Sequence, residues 1–175
     1  MRTRHVLILA LLPFAIHSVA AQTTPGLDAA VRSEMTPDEA FATNAASSDL
    51  FEIESSKIAL EKASREDVKT FATHMIRDHE ATSAKLKAAA AADGLEPISA
   101  PDSKRAQMIK NAQQAKKDHF DATYLNLQVT AHQEAVALFD DYAKTGTGQN
   151  LKAFAVESLP ALQQHLEEAK SLDSQ

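Results

Sequence analysis

The chain contains no cysteine. That excludes disulfides, a thiol nucleophile, a cysteine-ligated zinc, covalent haem attachment and a lipidated cysteine anchor. Glycine is scarce, 4 in 175 residues, and no glycine-rich phosphate loop can be built from them, which argues against nucleotide chemistry. Proline is nearly as rare, at 6 residues, and with abundant alanine this favours helix over sheet. No Glu-x-x-His occurs, so the pattern that builds a carboxylate-bridged di-iron centre is missing. No serine sits in a nucleophile elbow. After Val19 no run is apolar for long enough to cross a bilayer.

What is present begins with a leader. Arg2 and Arg4 make a basic start, Val6 to Val19 is apolar apart from Pro13, His17 and Ser18, and Ser18, Val19, Ala20 and Ala21 form a small-residue cleavage site. This is the three-part pattern of a secretory signal peptide over residues 1–21, and the run is short for a retained span of about 20 residues. Export to the bacterial periplasm is the expectation. Removing the leader leaves 16 basic residues against 24 acidic ones, a net charge of −8. An acidic chain without a basic stripe is a poor partner for nucleic acid or anionic lipid. Residues 22–35 read as a flexible polar linker, and 36–173 as one domain with a sizeable core.

Periodicity divides that domain into four long helices. The first starts at Thr36 as N-cap, Pro37 at the first helical position and Glu39 closing a capping box, and runs to about Lys62. Phe41, Leu50, Phe51 and Ile58 mark its buried side. Glu54 falls on that face, while Glu52 and Glu61 read as solvent-side charges. The second restarts at Ser64 as a further cap and ends at Asp93 and Gly94, with Val68, Ala72, Met75, His79, Thr82 and Leu86 on its seam. Pro97 and Pro101 bracket a connection. The stretch over about 102–116 reads as a shorter helix lying across the bundle, or as a frayed entrance to the third long helix, with Ala106, Ile109 and Ala112 or Gln113 inward. The third long helix, from Asp118 to about Lys144, turns Asp121, Leu125, Gln128, His132, Ala135 and Phe139 inward, with Tyr124 beside them. The fourth, to about Leu172, turns Leu151, Phe154, Ser158, Leu162, His165 and Ala169 inward and is expected to kink at Pro160. The fold class is therefore all-α, an up-and-down four-helix bundle with a short extra helix between the second and third long helices.

Besides Asp121 near the start of the third helix, the inward stripes carry four ionisable residues, one per long helix: Glu54, His79, His132 and His165. Facing stripes of a bundle converge in the core, where such folds build metal and cofactor sites. Three imidazoles and a carboxylate suit zinc, copper, iron or nickel better than calcium or magnesium. Asp78 and Tyr124 would hydrogen-bond to the ligands from behind. The leading expectation is a non-enzymatic binder of a metal ion or small ligand in the bundle core; a polar network serving only bundle register, in a structural or protein-interaction module of the envelope with no ligand, is the alternative. A ferritin-type oxidoreductase is disfavoured by the missing Glu-x-x-His. His74 and His119 read as surface residues and Met75 as core.

Several segments resemble the domain-of-unknown-function 4142 family, whose members are often labelled predicted outer membrane proteins. They are Phe71, Ala72, Met75, Asp78 and His79; Phe120, Asp121 and Tyr124; Gln128, Val129, His132 and Gln133; and Leu159, Pro160, Leu162, His165 and Leu166. The opening around Glu52, Ile53, Lys57, Ala59 and Leu60 is similar too. The resemblance implies a ferritin-like helical bundle exported by bacteria, without an established activity. It marks Glu54, Asp78, His79, Tyr124, His132, Pro160 and His165 as the positions that matter. An outer-membrane barrel would need alternating strands of about ten residues, and the sequence shows helices throughout. Any membrane association would be peripheral, and an envelope protein or a second copy of the chain are the expected partners.

Overall fold

A computed structural model of the chain describes residues 35–97 and 99–175. The expected leader over 1–21 and all of the expected linker but Met35 lie outside the described residues. The described residues form five α-helices and no strand: α1 (Pro37–Lys62), α2 (Glu66–Ala92), α3 (Ser103–Gln114), α4 (Phe120–Thr145) and α5 (Gln149–Asp173), with a 3-10 turn at Lys117–His119 before α4. The architecture is an all-α bundle of four long helices, and α3 is the short extra one. No helix among the described residues is long and apolar enough to cross a membrane.

The helix ends explain much of the register. Thr36 and Glu39 form the expected capping box: the Thr36 hydroxyl accepts from the Glu39 N–H at 3.2 Å and Glu39 Oε2 accepts from the Thr36 N–H at 2.8 Å. Gly94, at φ 78°, closes α2, with the Leu95 N–H donating to the Ala90 carbonyl and the Gly94 N–H to that of Ala91. The expected cap at Ser64 is not made by its own side chain. The N-cap of α2 is Arg65, which provides no side-chain cap, and Asp121 of α4 accepts from the Ser64 and Arg65 N–H groups at 3.0 Å instead. The start of α5 is served in the same way: Asp93 accepts from the N–H groups of Asn150, at 3.2 Å, and Leu151, at 2.8 Å. Lys62 donates to the Gln113 and Ala115 carbonyls at the end of α3. At the starts of α2 and α5 and the end of α3 the end groups are satisfied by a charge from another helix, so helix termination and helix packing are coupled there.

Cross-links fix the directions. Asp49 meets His79 and Ser83, Ser56 meets Tyr124, Ser55 meets Gln128, and Phe41 stacks on Tyr142, so α1 is antiparallel to both α2 and α4. Asp93 at the start of α5 and Arg65 on the Leu172 carbonyl at its end make α5 antiparallel to α2. α2 and α4 therefore run the same way. The return leg is α3, which climbs along α1 from Ser47, bonded to Asp102, to Lys62. Counting α3, which runs along α1 and not across the bundle, direction alternates along the described helices.

Because α1 packs against α2, α3 and α4, it is buried on several sides. The inward residues of α3 are Arg105, Met108 and Ala112, so the expected Ala106 and Ile109 register is off by one at two of its three positions. Met108 packs against Phe51, and the Arg105 guanidinium lies 5.7 Å from the Phe51 ring centre.

Apolar packing occupies both ends of the bundle. At one end Phe41, Phe139, Tyr142 and Phe154 cluster with Leu86, Leu151 and Leu162. At the other, Val68, Phe71, Met75, Phe120, Tyr124 and Leu125 do so with Ala169. Between them lies a buried polar belt of Asp49, Glu52, Ser55, Ser56, His79, Gln128, His132 and His165. The caps make a first prediction. Asp121→Ala should destabilise the protein by about 1 kcal/mol, the usual cost of losing an N-cap, read as a lower urea midpoint. An unchanged midpoint would contradict the cross-helix cap.

Candidate metal centre

His79 from α2, His132 from α4 and His165 from α5 meet in the middle of the belt. Their ring centres form a triangle with sides of 5.5 Å. One nitrogen of each ring lies within 4.8 Å of those of the other two. Three of the four expected ligands are thus brought together.

The fourth is not. Glu54 lies on the outside of α1, its side chain 50% exposed and paired with Lys57 at 2.9 Å. Glu52, expected in solvent, is the buried one at 1% exposure. The reason is visible in α1. Its bundle-facing row is Ala42, Ala45, Asp49, Glu52, Ser56, Ala59 and Ala63, all buried and spaced by alternating threes and fours. Large apolar residues suggested a different stripe, because Phe51 packs toward α3 while the row facing the bundle is made of small residues. The spacing of alanine and serine would have placed Asp49 and Glu52 correctly. Asp49 carried no role in the sequence reading, and neither did Gln128, although its inward position was evident.

Each imidazole is held from behind. His79 Nδ1 donates to Asp49 Oδ1 at 2.8 Å, and Asp49 Oδ2 also accepts from the Ser83 hydroxyl at 3.0 Å. His132 Nδ1 donates to the Gln128 carbonyl at 3.0 Å, one turn back on its own helix. His165 Nε2 donates to Asp78 Oδ2 at 3.2 Å, and Arg77 binds both Asp78 oxygens at 2.7 and 3.1 Å. These contacts place a hydrogen on His79 Nδ1, His132 Nδ1 and His165 Nε2. The opposite nitrogens, His79 Nε2, His132 Nε2 and His165 Nδ1, are buried without any hydrogen-bond partner.

Tyr124, expected behind the ligands, touches none of the three histidines by hydrogen bond. Its hydroxyl meets Ser56 at 2.8 Å, and burial pushes the phenol far up, keeping it neutral. Asp78 takes the expected place. Arg77 holds its carboxyl below the usual range, against the opposing effect of burial. His74 is half-buried, near enough to His165 for its charge to be felt there, and His119 is exposed beside Asp118.

Electrostatics divide the three rings. Burial alone would favour neutral His79, but the bonded Asp49 carboxylate, with Glu52 and Asp78, outweighs it and raises its pKa. Burial and the charge on His79 push His132 well below the ordinary histidine value, and the same two causes bring His165 to about 4. One imidazolium and two neutral imidazoles is the arrangement expected when like charges are packed this closely.

Glu52 stands apart from the inward nitrogens, its Oε1 3.5 Å from His132 Nδ1. Neither of its oxygens has a hydrogen-bond partner, and the nearby Gln128 amide donates to Ser55 Oγ at 3.0 Å. Burial pushes its carboxyl up to about 7, against the pull of His79, Gln128 and Arg105. Its folded pKa thus stands above the unfolded value. Protonated Glu52 stabilises the fold fully at low pH, and that stability is lost as pH rises through about 7. Glu52→Gln should therefore gain on the wild type between about pH 5 and pH 8, by roughly 3 kcal/mol at most. Urea unfolding across that range measures it; a pH-independent difference would contradict a buried, titrating Glu52.

The sequence model of the family described as "domain of unknown function (DUF4142)" matches residues 21–172. No curated protein and no solved structure matches the chain.

Proposed function

We propose that this chain, which belongs to the DUF4142 family, binds one divalent transition-metal ion in its bundle core through His79 Nε2, His132 Nε2 and His165 Nδ1. The observation that carries the proposal is the set of three converging, buried ring nitrogens without partners. A buried polar group left unpaired costs about 1–3 kcal/mol, and three at one point need a common partner. A cation supplies one to all three at once.

The donor set favours zinc, copper or iron over calcium or magnesium, whose ligands are oxygens. Asp49, the Gln128 carbonyl and Asp78 hold the three imidazoles in the tautomers that aim their free nitrogens inward. His132 and His165 already offer lone pairs; His79 has to release its proton to join them. Glu52 lies behind His132 and not among the converging nitrogens, which supports a single ion over a carboxylate-bridged pair. Binding of the ion by the three imidazoles is the reading. The leader over 1–21 would deliver the bundle to the periplasm, where it would store or buffer the ion.

The test is titration of metal-free protein with zinc, cobalt and copper, followed by calorimetry and, for cobalt, visible absorption. His79→Ala and His165→Ala should each weaken binding by about 100-fold or more, while Asp49→Asn should weaken it by about 10- to 100-fold. Glu54→Ala should bind as the wild type does. Affinity should fall as pH drops, because protons compete for the same nitrogens. Unchanged affinity in both histidine variants would overturn the proposal.

A second reading, a structural or interaction module without ligand, is favoured by the His79–Asp49 ion pair, which is complete without a metal. It predicts that His132→Leu leaves the metal-free fold as stable or more so, since apolar packing can replace a buried polar group. It also predicts that the protein takes up none of the three ions.

A further inference from the structure

An ion held by the three histidines has to reach the middle of a packed bundle, and two of the imidazoles are backed by closed walls. Behind His79 stands Asp49, its side chain only 6% exposed and fastened to Ser83. Behind His132 stand the Gln128 carbonyl and Glu52, and α3 covers this flank with Arg105 and Met108 against Phe51.

The third imidazole differs. His165 is the one member of the trio with an exposed edge, its side chain 10% exposed. Asp78 behind it is 34% exposed, and Arg77 grips Asp78 from the solvent side. His165 also has one nitrogen on Asp78 and the other, unpartnered, buried in the core. It therefore bridges the surface to the centre in a way that His79 and His132 cannot. His74 stands one turn before Asp78 on α2 and adds a second imidazole to the same edge.

We propose that metal ions enter and leave the centre along the α2–α5 edge, with Asp78 as the first protein ligand they meet and His165 as the ligand that exchanges. The inference rests on the metal-centre reading. Arg77 acts as a latch: its guanidinium occupies the Asp78 oxygens and adds a positive charge where a cation must approach, so uptake requires its displacement. Asp49 on the closed side is a positioning residue that affects how tightly the ion is held and not how it arrives.

Cobalt uptake and its release to a chelator, followed by visible absorption in the purified protein, separate these roles. Arg77→Ala should speed both uptake and release by about tenfold, and Asp78→Asn should slow uptake by a similar factor, because charge at the approach governs association. Asp49→Asn should lower affinity with its uptake rate unchanged. Wild-type rates in both Arg77→Ala and Asp78→Asn would overturn the route while leaving the metal centre standing. So would an Asp49→Asn variant whose uptake slows as much as that of Asp78→Asn. A wild-type protein that takes up no cobalt, zinc or copper overturns both.

Discussion

Burial of three imidazoles with ring centres 5.5 Å apart is the constraint on which the arrangement of the buried polar belt depends. Taken out of water, each ring must have its N–H satisfied, and a second or third positive charge beside the first is strongly disfavoured. The helices meet both demands from behind: Asp49 from α1, the Gln128 carbonyl from within α4, and Asp78 from α2. The outward nitrogens are thereby settled and the inward ones left free. A network serving only the fold would be expected to pair its inward groups as well, since a half-satisfied polar core is worse than an apolar one.

The apolar ends make this belt affordable. Aromatic packing around Phe41 and Tyr142 at one end, and around Phe71, Phe120 and Tyr124 at the other, holds the four long helices in register independently of the belt. Cross-helix contacts from Asp93, Asp121 and Lys62 to helix ends add to that register. The belt residues thus converge on a frame that other contacts define, as a preorganised site requires.

The helices were legible in the sequence because their signals are local. The Thr36 capping box, the Gly94 stop and the three-four spacing of α2, α4 and α5 each depend on neighbours within a turn or two. His79, His132 and His165 were legible for the same reason, each falling on a clear apolar stripe. Glu54 was misplaced because α1 has no such stripe: it meets three helices, and its bundle-facing row is alanine, serine, Asp49 and Glu52. On that helix the larger apolar residues point to the α3 side as well as to the bundle. The cap from Asp121 to Ser64 and Arg65 joins residues 57 and 56 positions apart and leaves no local trace. The inward register of α3 was hidden because a buried arginine, Arg105, fills one of its few inward positions, paired with Glu134 at 3.1 Å.

Anomalous diffraction from crystals of the zinc-loaded protein, collected on either side of the zinc absorption edge, would locate the ion directly. One strong peak is expected in the bundle core at about 2.0–2.1 Å from His79 Nε2, His132 Nε2 and His165 Nδ1. Zinc found only among surface carboxylates, with the core free of anomalous signal, would contradict the metal-centre reading.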